Sequence, residues 1–255
     1  MSCVSSWVQT KEKKYSRPAK EMIHMPEGDE YTKKQMGVLT FRGDNFRRNA
    51  AAGALSAAPL ELAVKWKEEA GSARGTNQTF YGYGWTGQPV ISRWSKEVRT
   101  LSTSMKDTKR EKSALKEVII AGLDGSIRFL DLQDGSSTRN SIKLGYPMRG
   151  TPTLHPRGYP FMTVGQFARK MRGKTGKIGL RQYNLFSAKE LKMIDGLDGK
   201  YHRPLNNVGS FETSALIDRE SDTLIAVGTN GALYLESLGS TFDYNAGVMQ
   251  ISPMI

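Results

Sequence analysis

A phrase that recurs about every sixty residues constrains this chain more than any other feature. The first copy reads Gly87-Gln88-Pro89-Val90-Ile91, then Val118-Ile119-Ile120-Ala121-Gly122, then Asp124-Gly125-Ser126-Ile127-Arg128-Phe129-Leu130-Asp131-Leu132. The third reads Thr213-Ser214-Ala215-Leu216-Ile217, then Leu224-Ile225-Ala226-Val227-Gly228, then Asn230-Gly231-Ala232-Leu233-Tyr234-Leu235-Glu236-Ser237-Leu238. A looser middle copy has Thr151-Pro152-Thr153-Leu154, Phe161-Met162-Thr163-Val164-Gly165 and, after an insertion, Gly179-Leu180-Arg181-Gln182-Tyr183-Asn184-Leu185. Pro89 to Pro152 is 63 positions and Pro152 to Ser214 is 62, so the copies predict an array of equivalent sheets.

Each piece has a physical reading. Asp124-Gly125 and Asn230-Gly231 tolerate positive φ at both central turn positions, which predicts a tight hairpin in each copy. The run Val118 to Ala121 is apolar on both faces and reads as an inner strand covered on both sides. Past the turn, Ile127, Phe129 and Asp131 face one way and Arg128, Leu130 and Leu132 the other, as in a strand between packed sheets. A further turn at Asp134-Gly135-Ser136 leads to an outer strand near 141–144. Four strands per copy fit a propeller blade, and 26 glycines in 255 residues without long helical periodicity favour an all-β array.

Leu39-Thr40-Phe41-Arg42-Gly43-Asp44-Asn45-Phe46-Arg47-Arg48-Asn49, followed by Gly53 and then Leu62-Ala63-Val64-Lys65-Trp66-Lys67, resembles the opening of bacterial PQQ-like (pyrroloquinoline-quinone-like) β-propeller repeat proteins. The resemblance runs from Gly37 to Leu238 and implies an all-β propeller of four-stranded antiparallel blades. It divides the chain into an N-terminal extension over 1–36 and a partial propeller over 37–255. The expected parts are an entry strand over 61–67, blades over 85–145, 149–196 and 211–245, and the start of a further blade over 248–255. Such rings have seven or eight blades, so the chain reads as an incomplete arc whose missing blades belong to its own full-length chain.

The family has several branches. Quinoprotein dehydrogenases hold the quinone over a tryptophan floor, bind calcium through carboxylate and amide oxygens and often carry adjacent cysteines. Cys3 is the chain's one cysteine, so that pair and any intrachain disulfide are excluded. Other relatives are non-enzymatic propellers, including the scaffold lipoprotein of outer-membrane protein assembly. The resemblance therefore implies a non-catalytic binding or scaffolding module of an envelope-associated or secreted bacterial protein, with no cofactor. A fragment of a quinone-dependent dehydrogenase, with pyrroloquinoline quinone and calcium, is the alternative. No h-region follows Met1, and no apolar run approaches the length of a membrane helix.

The aromatic and glycine run Phe80-Tyr81-Gly82-Tyr83-Gly84-Trp85-Thr86-Gly87 supplies the candidate ligand surface, with Tyr81, Tyr83 and Trp85 as its rings. The competing reading has Trp85 capping the core while the glycines permit close packing. Net charge is +12, and much of the excess sits in two insertions. One spans 99–116 with Lys106, Lys109, Arg110 and Lys112; the other carries Arg169, Lys170, Arg172, Lys174 and Lys177. Both read first as solvated loop tips, and then as contacts for a protein, an anionic envelope polymer or a phosphate-rich surface. No nucleic-acid-binding signature accompanies the charge.

Catalytic patterns are weak. His24, His155 and His202 have no metal-ligand spacing, His155 before Pro156 reads as a turn residue, and no Gly-x-Ser-x-Gly elbow exists. Asp131 and Asp134 read as a turn between strands, and Gly71 to Asn77 lacks the ending of a phosphate loop. No catalytic, cofactor or metal residues are assigned.

Overall fold

The computed structural model describes residues 37–43, 47, 57, 60–84, 86–199 and 207–254. In chain order it runs β1 (Ser72–Arg74), β2 (Thr79–Tyr81), β3 (Val90–Ser92), α1 (Lys96–Leu101), α2 (Asp107–Arg110), β4 (Glu117–Ala121), β5 (Ser126–Asp131), β6 (Ile142–Lys143), β7 (Thr153–Leu154), β8 (Phe161–Gly165), β9 (Lys170–Met171), β10 (Lys174–Thr175), β11 (Gly179–Asn184), β12 (Lys189–Asp195), β13 (Leu216–Asp218), β14 (Thr223–Val227), β15 (Leu233–Ser237), β16 (Thr241–Asp243) and β17 (Val248–Gln250). The fold is all-β. Its main sheets are antiparallel, in the orders β3-β4-β5-β6, β7-β8-β11-β12 and β13-β14-β15, with hairpins β1–β2, β9–β10 and β16–β17 beside them.

The repeat is visible in the hydrogen bonds. Gln88 N–H donates to the Thr151 hydroxyl at 2.9 Å, and Thr151 N–H donates to the Ser214 hydroxyl at 2.9 Å, each across 63 positions. The Thr86 hydroxyl reaches the Arg149 carbonyl, and the Arg149 guanidinium reaches Glu212, across the same step. Equivalent positions on successive sheets are therefore direct neighbours. Val90 opposes Ile119, Thr153 opposes Thr163 and Leu216 opposes Ile225, which extends the equivalence through each sheet.

The register corrects the expected alignment of the middle copy by one residue. Gly122, Gln166 and Gly228 are equivalent, because their amides donate to Ser126, Gly179 and Ala232 respectively. The glycines serve different purposes. At 122 and 228 the side chain of the following Asp124 or Asn230 folds back, and a Cβ would stand 2.8 or 2.4 Å from its oxygen. Gly165 lies one place earlier, where a Cβ would stand 2.0 Å from the Phe211 carbonyl oxygen.

The Asp-Gly and Asn-Gly hairpins form, but not as two-residue turns. The ladder closes from Gly122 N–H to Ser126 O, leaving a three-residue loop in which Gly125 alone takes positive φ (77°), and Gly231 (85°) repeats this. Such a loop combines an ordinary turn with a left-handed glycine. Asp124 and Asn230 contribute through their side chains, which accept from Ser126 N–H and Ala232 N–H.

The entry strand expected over 61–67 has no strand partner among the described residues. Leu62 and Val64 are 94% and 85% exposed, and only Trp66 anchors, its indole N–H donating to the Leu132 carbonyl at 2.9 Å. The alternation that resembled a strand joins no sheet, and it is 37–43 that lies at the first sheet's inner edge. There Val38 and Ile91 exchange two 2.8 Å backbone bonds, and Leu39 O accepts from Leu154 N–H. The start of a further blade expected over 248–255 is also replaced. β17 pairs with β16, and Met254 exchanges 2.9 Å bonds with Ser237, so the tail lies along the outer edge of the third sheet.

Candidate functional site

The rings proposed from sequence separate. Tyr81, at the end of β2, is 71% exposed. Tyr83 turns inward, with the Arg128 guanidinium 5.2 Å from its ring centre, and burial pushes its hydroxyl up to about 12. Arg128 pairs with Asp124 at 2.6 Å and with Glu68 at 3.2 Å. Burial alone would raise the Asp124 carboxyl, but the Arg128 hydrogen bond and the Gly71 and Ser126 amides hold it below its ordinary value. Tyr83 therefore serves the packing of the first sheet. Trp85 lies outside the described residues, as do Cys3, His24, His202 and the expected N-terminal extension 1–36.

Gly82 (φ 74°) and Gly84 (φ 76°) flank Tyr83 at angles that L side chains resist, so the alternation of small and aromatic residues is what lets one ring face out and the next face in. A second hairpin meets this segment. Gly75 bridges Met171, Thr76 N–H donates to Lys170 O at 3.1 Å, and Arg172 N–H donates to Arg74 O at 3.0 Å. Phe80 stands edge-on to Phe167 at 5.8 Å, and Arg149 lies 4.4 Å over the Phe167 ring. The candidate aromatic run and the basic insertion of the second sheet thus form one surface. They read as separate in the sequence because what joins them is tertiary: backbone pairing and the Phe80–Phe167 ring contact.

The other basic insertion is not a solvated tip. It folds into α1 and α2, capped at Val98 N–H by the Ser95 hydroxyl. Buried Arg99 donates to the Arg110 and Lys112 carbonyls at 2.7 and 2.5 Å. Lys109 and Lys112 both reach Asp131, at 2.7 and 2.6 Å. Burial would raise the Asp131 carboxyl, and the two ammonium groups hold it below its ordinary value.

Three clusters contain residue types capable of chemistry, and each joins elements together. Glu117 is fully buried and accepts two bonds from the Arg139 guanidinium, at 2.9 Å each, one from the Trp94 indole at 2.7 Å and one from Thr138. Arg139 continues to the Leu185 carbonyl of the second sheet. Glu236 receives Gln182 and Lys192 from that sheet.

His155 confirms its turn position, with Gly158 N–H returning to its carbonyl, but it is also buried between sheets. Its Nδ1 accepts from Arg157 N–H, which leaves Nε2 as the donor to Asp222 at 2.8 Å. The Ser240 hydroxyl lies 3.0 Å from that same Nε2 and donates to Asp222 at 2.7 Å. An imidazole acting as base toward Ser240 would need a free lone pair on Nε2, and none is available in this tautomer. Burial holds His155 below its ordinary value; for Asp222 burial acts upward and is outweighed by the bonds from His155 and Ser240.

Among the described residues no three His, Cys, Asp or Glu side chains converge as a metal site, and no helix is long and apolar enough to cross a membrane. No known family profile matches the chain, and no curated protein matches it.

Proposed function

We propose that the three sheets are consecutive blades of a PQQ-like β-propeller, forming an arc, and that the chain acts as a non-catalytic binding or scaffolding module of an envelope-associated or secreted bacterial protein. The observation that carries the reading is the fate of the reactive side chains. Glu117, Glu236, His155, Asp222 and Ser240 are all engaged in bonds that tie one sheet to the next or to its insertion, which suits rigidity rather than turnover. The 63-residue bond ladder supports blades ordered around a common axis.

The open side of the third sheet supports an arc that a further sheet continues. In the first sheet Val90, Ile119, Ala121, Ile127 and Phe129 face the second sheet and are buried. Their equivalents Leu216 and Ile225 are half-buried, and Val227, Leu233 and Leu235 are 46%, 52% and 47% exposed. An apolar face of this kind marks a surface that normally has a neighbour.

The test is titration of the purified chain with pyrroloquinoline quinone and calcium, following absorbance and tryptophan fluorescence. No saturable change is expected. Stoichiometric quinone binding would replace the module with a fragment of a quinone-dependent dehydrogenase.

A further inference from the structure

We propose that the paired hairpins β1–β2 and β9–β10 form a binding surface for an acidic polysaccharide. In it, Arg74, Arg169, Lys170, Arg172, Lys174 and Lys177 meet the polymer's carboxylates or sulfates, and Tyr81 packs on a sugar face. The inference rests on the binding-module reading and names the partner of its candidate surface.

The hairpins are joined backbone to backbone at Gly75–Met171, Thr76–Lys170 and Arg74–Arg172, so the cations of both lie on one platform. Neither 71–84 nor 166–178 contains an Asp or Glu. None of the six cations has an ion pair with a described residue, in contrast to Lys109 and Lys112 of the other insertion. Arg74, Lys170, Arg172, Lys174 and Lys177 are exposed. A field of one sign on a fixed scaffold draws in polyanions and loses strength with salt.

The tip of β9–β10 supplies an independent observation. Arg172 and Gly173 both have positive φ, 48° and 77°, as the central pair of a two-residue hairpin turn. Asn or Asp is favoured in the first of these places, and an arginine there carries strain that a packing role would not require. Backbone strain held at an exposed tip points to a function for the side chain.

The chemistry of the surface favours a sugar polymer over its competitors. Single-stranded nucleic acid is held by successive stacked rings. Here Phe80 and Phe167 are engaged with each other and Tyr83 with Arg128, so among the described residues of the two hairpin segments Tyr81 is the ring presented to solvent. Exposed Thr76, Asn77 and Gln78 in the β1–β2 turn supply donors and acceptors suited to sugar hydroxyls.

The test is isothermal titration of the full chain with polygalacturonate, heparin, neutral dextran and a single-stranded DNA oligonucleotide at low and physiological salt. Binding to one or both acidic glycans and none to dextran is expected; polygalacturonate separates carboxylate from sulfate recognition. Arg172→Asn should weaken binding about threefold to fivefold, the scale of one surface cation near a polyanion, with the melting temperature unchanged or raised. Lys170→Ser with Lys174→Ser should weaken it further, Tyr81→Ala should weaken glycan binding without altering the salt dependence, and Lys67→Ser, outside the platform, should leave it intact. Tighter binding to DNA than to either glycan, or glycan binding indifferent to the hairpin substitutions, would overturn the inference. Absence of glycan binding would also overturn it while leaving the non-catalytic reading in place, which only quinone binding defeats.

Discussion

The first and third sheets carry the same register and the same kind of residues on the same face, yet one face is core and the other is surface. Phe129 and Leu235 are equivalent, as are Ile127 and Leu233, but the first of each pair is fully buried and the second is about half exposed. The opposite side of the first sheet is also covered, by the chain's own segment around Trp66, Glu68 and Gly71, through bonds to Leu132, Arg128 and Asp124. Apolar patterning alone does not determine burial. A repeat is buried where a neighbour or a capping segment supplies the second layer, and the array is consequently polar, with one closed end and one open one.

Paired substitutions should break or sharpen this contrast. The largest effect is expected at the core of the closed end. Phe129→Ala should cost about 3–5 kcal/mol, and Glu117→Gln, which leaves the buried Arg139 without its carboxylate, a similar amount. Leu235→Ala should cost less than about 0.5 kcal/mol. Urea unfolding with a common m-value checks all three, and an equal loss at Phe129 and Leu235 would remove the distinction.

A turn pair gives a smaller effect. Gly125→Ala forces a side chain into positive φ and places its Cβ 2.8 Å from the Gly145 backbone, whereas a Cβ at Gly145 (φ 77°) meets nothing within 4 Å. Gly145→Ala should cost about 1–2 kcal/mol from backbone conformation, and Gly125→Ala more, read by the same unfolding curves.

The junction of the second and third sheets should be acid-sensitive. His155 is held below its ordinary value of 6.5 by burial, so below that pH the unfolded chain takes up a proton that the folded one resists. Its contribution is fully present above pH ~6.5 and is lost as pH falls, by at most about 1.4 kcal/mol per pH unit. Asp222, also held low, acts in the same direction from its ordinary value of 3.8 downward. Stability measured between pH 7.5 and 5 should decline in the native chain and decline less in His155→Gln.

The smallest effect is expected at the open face. Leu233→Ser with Leu235→Ser should change stability within about 0.5 kcal/mol and reduce self-association in sedimentation at high concentration.

Much of the fold was legible in the sequence because its signals are local. The Asp-Gly and Asn-Gly loops and the apolar runs at 118–121 and 224–227 each depend on residues close in the chain, and the 63-residue step is legible because those local signals recur. The middle copy was displaced by one residue because glycine at 165 answers a tertiary contact with Phe211, whereas Gly122 and Gly228 answer their own turns. Leu62, Val64 and Trp66 alternate as a strand does, and alternation cannot reveal whether a sheet edge is free. The basic insertion at 99–116 read as solvated because Asp131, which pairs with its lysines, lies in another hairpin. In the candidate surface Tyr81 and Tyr83 read alike in the sequence, and only the Arg128 guanidinium against the Tyr83 ring separates the exposed one from the packed one.

The most direct test of two equivalent faces with opposite fates is thiol labelling. In a Cys3→Ser background, Ile127→Cys and Leu233→Cys place one thiol at equivalent positions on the first and third sheets. Leu233→Cys should react with a disulfide reagent at close to the free-thiol rate, and Ile127→Cys more slowly by about a thousandfold or more, since it is reached only through opening of the core. Equal labelling rates at the two positions would contradict the account.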